Sequence, residues 1–466
     1  MEKSRLSTAV IAGAAVFLCV VTPYAGGANP DPKPSTRQDA GTPATAGIGL
    51  ASPIPVAEAQ EPSGELNLRQ ALEMALAGSP DLASFPWELR SGDARIRQAG
   101  LRPNPELTVD LENFLGSDPS RKFETLETTL SISQLMELGG KRAARIRLAS
   151  SEKEVSSWDY EAKRADLAAE VARSFVEVLS AQEKLALAEE MARLAKEVLN
   201  AVSARVTAGK ISPVEETKAS VAWSISGIEL ERARLALEGA RKRLAATWGN
   251  AKPMFSKAVG RLDRLTPIPP PEVLADRISL NPDVARWAAE MEQRKATLVQ
   301  ERANRIPDVT ISGGVRRSRE ANDTSFVFGA AVPLPLFNRN QGKILESHYR
   351  ISKAEREREA AGNKVLAALS DAYQALATGY TEATTLKSAV LPGAQSAFEA
   401  TSEGFRQGKF GYLEVLDAQR TLFEARGRYV EALGAYHKAV ADTERLIGGE
   451  LGEPVKSNET KRGNGR

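Results

Sequence analysis

Glu414 and Asp417 stand three residues apart just past the turn Gln407-Gly408-Lys409-Phe410-Gly411-Tyr412, so on a helix they share one face. Carboxylates gathered in this way attract cations. At a helix start the same pair simply complements the positive end of the helix dipole, which is the stronger reading of the residues by themselves. Glu215 and Glu216 follow a second turn, Ala208-Gly209-Lys210-Ile211-Ser212-Pro213, in the same way. Other sets that could carry chemistry fall away. Cys19 is the single cysteine, and His348 and His437 fall on different expected helices without ligand neighbours, so no thiolate metal site or disulfide framework can be built. Gly139-Gly140-Lys141-Arg142 lacks the glycine spacing, and the Ser or Thr after Lys, of a phosphate loop. No Ser/His/Asp set has local context. The reading is of a protein that is not an enzyme and needs no cofactor. With 62 Lys and Arg against 60 Asp and Glu, no global charge points to nucleic acid.

The elements that position these acids are long helices. Between Gly140 and Gly209 there is neither proline nor glycine, and a helix over that stretch would run roughly 100 Å. One heptad seam reads Val171, Val178, Leu185, Ala192, Leu199, Val206, and the other reads Ser174, Ala181, Ala188, Ala195, Val202. This is coiled-coil spacing, and the second seam is small enough for close backbone approach. Glycines 209 and 408 read as left-handed caps ending long helices, and Ser212-Pro213 as the N-cap and first residue of the next helix.

At the N-terminus Lys3 and Arg5 precede an apolar run from Ala9 to Val21, and the small residues Ala25-Gly26-Gly27-Ala28 follow. That is the plan of a secretory signal peptide, residues 1–28, too short for a comfortable membrane span. Leu18 precedes Cys19 where a lipid-attachment signal has a small residue, which favours an unlipidated protein. Residues 29–64, rich in Pro, Ala, Gly and Ser, read as a disordered leader, and the basic tail 450–466 as disordered.

The rest is a duplication, 65–250 and 271–449, joined by a linker at 251–270. Pro105-Glu106-Leu107-Thr108-Val109 matches Pro307-Asp308-Val309-Thr310-Ile311 at an offset of 202 (307 − 105), and Gly140-Lys141 matches Gly342-Lys343. Later the offset is 199 (408 − 209): Gly209-Lys210 matches Gly408-Lys409, Glu215 matches Glu414, and Trp248-Gly249 matches Ile447-Gly448. Each unit reads helix, strand, strand, long helix, turn, helix, the first helix spanning Leu68 to Leu101. Leu107, Val109 and Leu111, then Leu126, Thr128, Leu130 and Ile132 beyond the turn Gly116-Ser117-Asp118-Pro119, alternate with polar residues. Val309, Ile311 and Val315, then Phe326, Phe328, Ala330 and Val332, do the same. Such alternation suits a transmembrane strand as well as a soluble hairpin. Four strands cannot close a barrel, and an open sheet edge is not tolerated in lipid, so a membrane reading demands several copies of the chain. Three copies would give twelve strands and two a cramped eight.

Over about 65 to 449 the chain resembles the TolC-type outer-membrane efflux proteins. Arg102-Pro103-Asn104-Pro105-Glu106-Leu107, Gln134-Leu135-Met136-Glu137-Leu138-Gly139-Gly140-Lys141-Arg142 and Pro333-Leu334-Pro335-Leu336-Phe337-Asn338-Arg339-Asn340-Gln341-Gly342 most resemble the cobalt–zinc–cadmium branch. The resemblance implies a mainly α fold with a transmembrane β part: a homotrimer with an α-barrel in the periplasm and a twelve-stranded β-barrel in the outer membrane of a Gram-negative bacterium. It implies a periplasmic adaptor and an inner-membrane pump of the resistance–nodulation–division type as partners, and lipid around the barrel. It places Gly209, Lys210, Ile211, Ser212, Gly408, Lys409, Phe410 and Gly411 at tips that meet the adaptor. Glu414 and Asp417, and with them Glu215 and Glu216, would line the gate at the periplasmic mouth, Glu414 standing where the best-known member has Asp. The function this implies is a passive duct of a tripartite pump exporting divalent metal cations. The rivals are a duct for drugs, other organic molecules or secreted protein, and a periplasmic coiled-coil scaffold with soluble hairpins.

Overall fold

The computed structural model describes residues 61–113 and 123–452. The expected signal peptide, most of the leader, the turn Gly116–Pro119 and the tail beyond 452 lie outside the described residues. A two-residue strand β1 (Glu65–Leu66) leads into α1 (Leu68–Gly78), α2 (Pro80–Ala83) and α3 (Phe85–Ala99). The hairpin β2 (Glu106–Glu112) and β3 (Glu127–Met136) follows, then α4 (Lys141–Thr207) and α5 (Pro213–Ala246). After β4 (Lys257–Ala258), α6 (Pro271–Asp276) and a 3₁₀ turn, the plan repeats: α7 (Pro282–Asn304), β5 (Val309–Ser318), β6 (Asp323–Ala331), α8 (Gln341–Thr385), α9 (Leu391–Arg406) and α10 (Tyr412–Ile447). No described helix is long and apolar enough to cross a membrane.

The α4 helix is 67 residues long, about 100 Å. Its heptad seams are unevenly covered: Val171, Val178, Ala195 and Val202 are buried, whereas Leu185, Ala192, Leu199 and Val206 are half-buried. The second long helix is not continuous. Pro392 cannot donate to the preceding turn, and the helix widens into a π turn over Leu386–Val390 before α9 resumes. The single helix expected over Leu68–Leu101 is likewise broken, because Pro80 removes a donor and leaves Ser79 extended at φ −63°, ψ 122°.

The largest core lies midway along α4. Leu167, Val171, Phe175 and Val178 meet Ala71 and Met74 of α1, Leu244 of α5, and Phe255, Ala258 and Leu262. The stretch 251–270, expected to be a linker, is therefore packed, and β4 pairs in parallel with β1 (Leu66 opposite Ala258). Gln182 pins it, accepting from Ala258 N at 2.8 Å and donating to Ala258 O at 2.9 Å. The leader too is shorter than expected. Glu61 accepts from Trp248 Nε1, Asn250 Nδ2, Met254 N and Phe255 N at 2.5–3.3 Å, so residues 61–64 join the fold. At the other end Leu451 is buried and its N–H donates to Glu444 at 2.9 Å, so the expected tail begins later than 450.

One match is corrected. Gly140 and Asn340 both precede a long helix in the left-handed conformation, φ 70° and 58°, an offset of 200 (340 − 140) rather than 202. Gly342, expected to mirror Gly140, lies inside α8, where its glycine identity is not required by the backbone.

The four long strands form one antiparallel sheet, β2-β3-β5-β6, in which the hairpin of one repeat joins the hairpin of the other. β3 pairs with β5 over ten residue pairs, Glu127 opposite Ser318 to Met136 opposite Val309.

Candidate functional site

Two turns and one sheet carry the residues singled out by their chemistry. Each turn closes a long helix by the same device. Gly209 has φ 67°, and Lys210 N–H donates to Arg205 O at 2.9 Å. Gly408 has φ 77°, and Lys409 N–H donates to Gly404 O at 2.8 Å. Both are helix stops that need a residue without a Cβ at the left-handed position. Ser212 then caps α5, its hydroxyl accepting from Val214 N at 3.3 Å. Phe410 folds back over Gly404 so closely that a Cβ there would come within 2.1 Å of the ring.

The turns are packed together. Val202, Ala219 and Tyr412 form a buried cluster with Val206, Ile211, Phe405 and Leu416 around it. Arg205 lies 4.1 Å from the Phe405 ring centroid and donates to Phe405 O at 3.4 Å, joining α4 to α9.

The acidic residues fall into two environments. Glu414 and Asp417 are exposed on the first two turns of α10. Glu414 lies over Gly411, the N-cap, which has no side chain to satisfy the helix start; a Cβ there would stand 2.7 Å from Glu414 Oε2. Glu215 and Glu216 are partly covered. Glu216 accepts from Ser203 Oγ at 2.6 Å, and Glu215 pairs with Lys218 at 3.1 Å. Glu215 Oε2 is buried with no hydrogen-bond partner among the described residues. Among those residues no hydrogen bond or ion pair joins Glu414 or Asp417 to Glu215 or Glu216; the charge of Glu215 acts instead on Tyr412. Burial raises the Tyr412 phenol above its ordinary value, and the Glu215 carboxylate raises it further. Tyr412, Arg205 and Ser203 were not singled out from sequence. The signal available for Tyr412 was an aromatic residue between a glycine cap and an acidic helix start.

Neither histidine joins a ligand cluster. His348 is exposed beside Arg302 at 3.3 Å, and His437 is half-buried with Nε2 2.8 Å from Leu262 O, its pKa lowered chiefly by desolvation. Among the described residues no group of three or more His, Cys, Asp or Glu could hold a metal ion.

The sheet has two unlike faces. The register aligns Leu107 with Ile132, Val109 with Leu130, Leu130 with Val315, and Val315 with Phe326. These residues, with Leu111 and Phe328, make one apolar face that the chain itself leaves open; Phe326 is 92% and Phe328 77% exposed. The opposite face carries Glu106, Asp110, Glu112, Glu127, Arg316 and Asp323. Arg316 bridges β2 and β3 there, 3.4 Å from Glu112 and 3.5 Å from Glu127, and donates to Thr129 Oγ1 at 3.0 Å. Asp110, opposite Thr129, lies beside this bridge, and Glu106 lies at the far end of β2.

With this geometry in view, comparison with known proteins is specific. The chain matches the family described as outer membrane efflux protein over residues 71–250 and 273–449. It is 42% identical over 389 residues to the cobalt-zinc-cadmium resistance protein CzcC of Cupriavidus metallidurans, covering 84% of this chain and 91% of that protein. It is 29% identical to the nickel and cobalt resistance protein CnrC of the same species, over 65% of this chain and 71% of CnrC. In fold it is similar to the crystal structure of the Campylobacter jejuni CmeC outer membrane channel, with a TM-score of 0.67 at 17% identity, covering 83% of this chain and 87% of that one.

Proposed function

The chain belongs to the outer membrane efflux protein family, and we propose that it is the outer-membrane duct of a tripartite pump that exports divalent metal cations. The observation that carries this reading is the identity to a cobalt-zinc-cadmium resistance protein over nearly the whole length of both chains. Export here is conduction.

Three copies, each giving four strands, make a twelve-stranded barrel. Two features of the single chain support assembly. The apolar sheet face is open and suits lipid. On α5, Val214, Val221, Ile228 and Leu235 form a heptad row, every member of it more than half exposed. A coiled-coil seam left bare in this way is complete only against another helix. In the closed barrel the apolar face meets lipid, and the face with Glu106, Asp110, Glu112 and Glu127 lines the pore, where acids favour cations.

The helical tips form the periplasmic mouth. Gly209, Lys210, Ile211 and Ser212, with Gly408, Lys409, Phe410 and Gly411, meet the hairpins of a periplasmic adaptor, which links the duct to an inner-membrane pump of the resistance–nodulation–division type. Glu414 and Asp417 from three copies ring the mouth as six carboxylates. Glu215 and Glu216 line the same mouth, Glu215 paired with Lys218 at 3.1 Å.

The test is complementation. A bacterium carrying a zinc-exporting pump and adaptor but lacking their outer-membrane partner should recover zinc, cobalt and cadmium tolerance when this chain is expressed. Recovery of tolerance to organic toxicants alone would move the cargo to the rival duct. Protein that folds yet is found only soluble in the periplasm would make it a scaffold.

A further inference from the structure

β5 carries two adjacent arginines that face opposite sides of the sheet in unlike company. Arg316, on the acidic face, lies between Glu112 and Glu127. Arg317, on the apolar face, is exposed and pairs with no carboxylate among the described residues. Its Nη1 donates to Thr324 Oγ1 at 3.0 Å and its Nη2 to Asn322 Oδ1 at 2.9 Å. Both acceptors are neutral, so the positive charge is uncompensated. Two of the five guanidinium N–H groups are used in this way, which leaves three (5 − 2).

The register places this charge at one end of the apolar face. Across the four strands one row reads Leu107, Ile132, Gly313 and Phe328, and the next reads Val109, Leu130, Val315 and Phe326. The row after that reads Leu111, Thr128, Arg317 and Thr324. Rows on one face are two residues apart, about 7 Å. The face therefore turns from apolar to hydroxyl and cation within one step. Arg319 follows, its N–H donating to Leu126 O at 3.0 Å in the β3–β5 register, but it lines a cavity of about 450 Å³ with Glu124 and Glu320. The other end of the strands runs into the helices, Met136 toward α4 and α7 toward Val309, so Arg317 stands at the end remote from them. β5 also lies inside the sheet, between β3 and β6, so the face around Arg317 stays open however the outer strands are completed.

Resting on the outer-membrane duct proposed above, we infer that Arg317 binds a phosphate of the lipid in the outward leaflet, the phosphorylated and acylated glucosamine disaccharide of lipopolysaccharide. The acyl chains lie along Val315, Phe326 and Phe328, and the phosphate sits where that apolar row ends. A planar fork of N–H donors matches phosphate oxygens. Thr324 and Asn322 hold the fork in place, so part of its ordering precedes the lipid.

The test counts bound lipid. The full chain is taken from outer membranes into mild detergent, stripped of lipid, titrated with bisphosphorylated lipid A and followed by native mass spectrometry. Arg317→Gln should bind it about tenfold more weakly, through loss of one forked, charge-assisted contact. Arg317→Lys, which keeps the charge without the fork, should fall between. Lipid A without its phosphates should bind wild type as weakly as intact lipid A binds Arg317→Gln, a comparison that stands even if the substitution disturbs folding. Equal binding of the two lipids by wild type, or of intact lipid A by wild type and Arg317→Gln, overturns the site. Displacement by excess inorganic phosphate, or equal binding of phosphatidylglycerol, overturns the assignment to this lipid. A chain that never enters the outer membrane fails the duct reading instead, and fractionation shows that before any lipid is added.

Discussion

Tyr412, the first residue of α10, is buried with Ala219 of α5 in one cluster that also holds Val202 of α4, and through this cluster the two helical turns of the chain hold one another. Tyr412→Ala removes an aromatic side chain from that cluster, a loss of about 3–5 kcal/mol for a buried ring. Hydrogen exchange should quicken across 205–216 and 404–417 and stay unchanged around Val178, which belongs to the separate core midway along α4. Uniform quickening along the whole chain would show instead that the cluster is not a local clasp.

The acidic pair at the start of α10 is open to solvent, so its removal should leave the fold intact. Glu414→Ala/Asp417→Ala is expected to raise single-channel conductance in a planar bilayer by relieving a constriction at the mouth. Equal conductance for wild type and variant would keep the duct and remove the acids from the gate.

Arg316 is the cation between Glu112 and Glu127 on the polar face of the sheet. Arg316→Gln leaves those two carboxylates without it, and the reversal potential in a salt gradient should shift toward cation preference. A reversal potential that does not move means that this face does not line the conducting path.

Glu444 offers a signed pH dependence. Burial raises its pKa above the ordinary carboxylate range, while the Leu451 N–H bond opposes that rise. A raised value means that the linked stability is full below about pH 4.3, the unperturbed value, and is lost as pH climbs through the folded pKa. Glu444→Gln keeps an oxygen for Leu451 N–H and removes the charge. Its melting temperature should exceed that of wild type at pH 7.5 and match it at pH 4.

Glu61 accepts from four donors around Trp248 and Phe255. Glu61→Ala should lower the melting temperature, with a loss of about 3 kcal/mol from donors left without their charged partner. A chain starting at residue 61 should melt like one starting at 29, whereas one starting at 65 should melt early.

Much of this protein is written in its sequence because it rests on periodicity. The heptads of Val171 to Val206, the alternation in all four strands, and the glycines at 209 and 408 are local signals, and local backbone geometry obeys them. The duplication is equally legible, since two copies of one pattern need no coordinates to be seen. Sequence did not determine where polar segments go. Residues 251–270 look like a linker until Phe255, Ala258 and Leu262 are placed beside Phe175, because burial depends on neighbours far along the chain. Nor could it separate four acids of like type. Glu414 and Asp417 stay in water while Glu215 and Glu216 are half-covered, a difference that residue type does not carry. The repeat offset was blurred by a chance Gly-Lys pair at 342–343, and only the backbone at Asn340 and the strand register fixed it at 200 (340 − 140). Strand pairing is decided by hydrogen bonds between segments, and those exist only once the chain has folded.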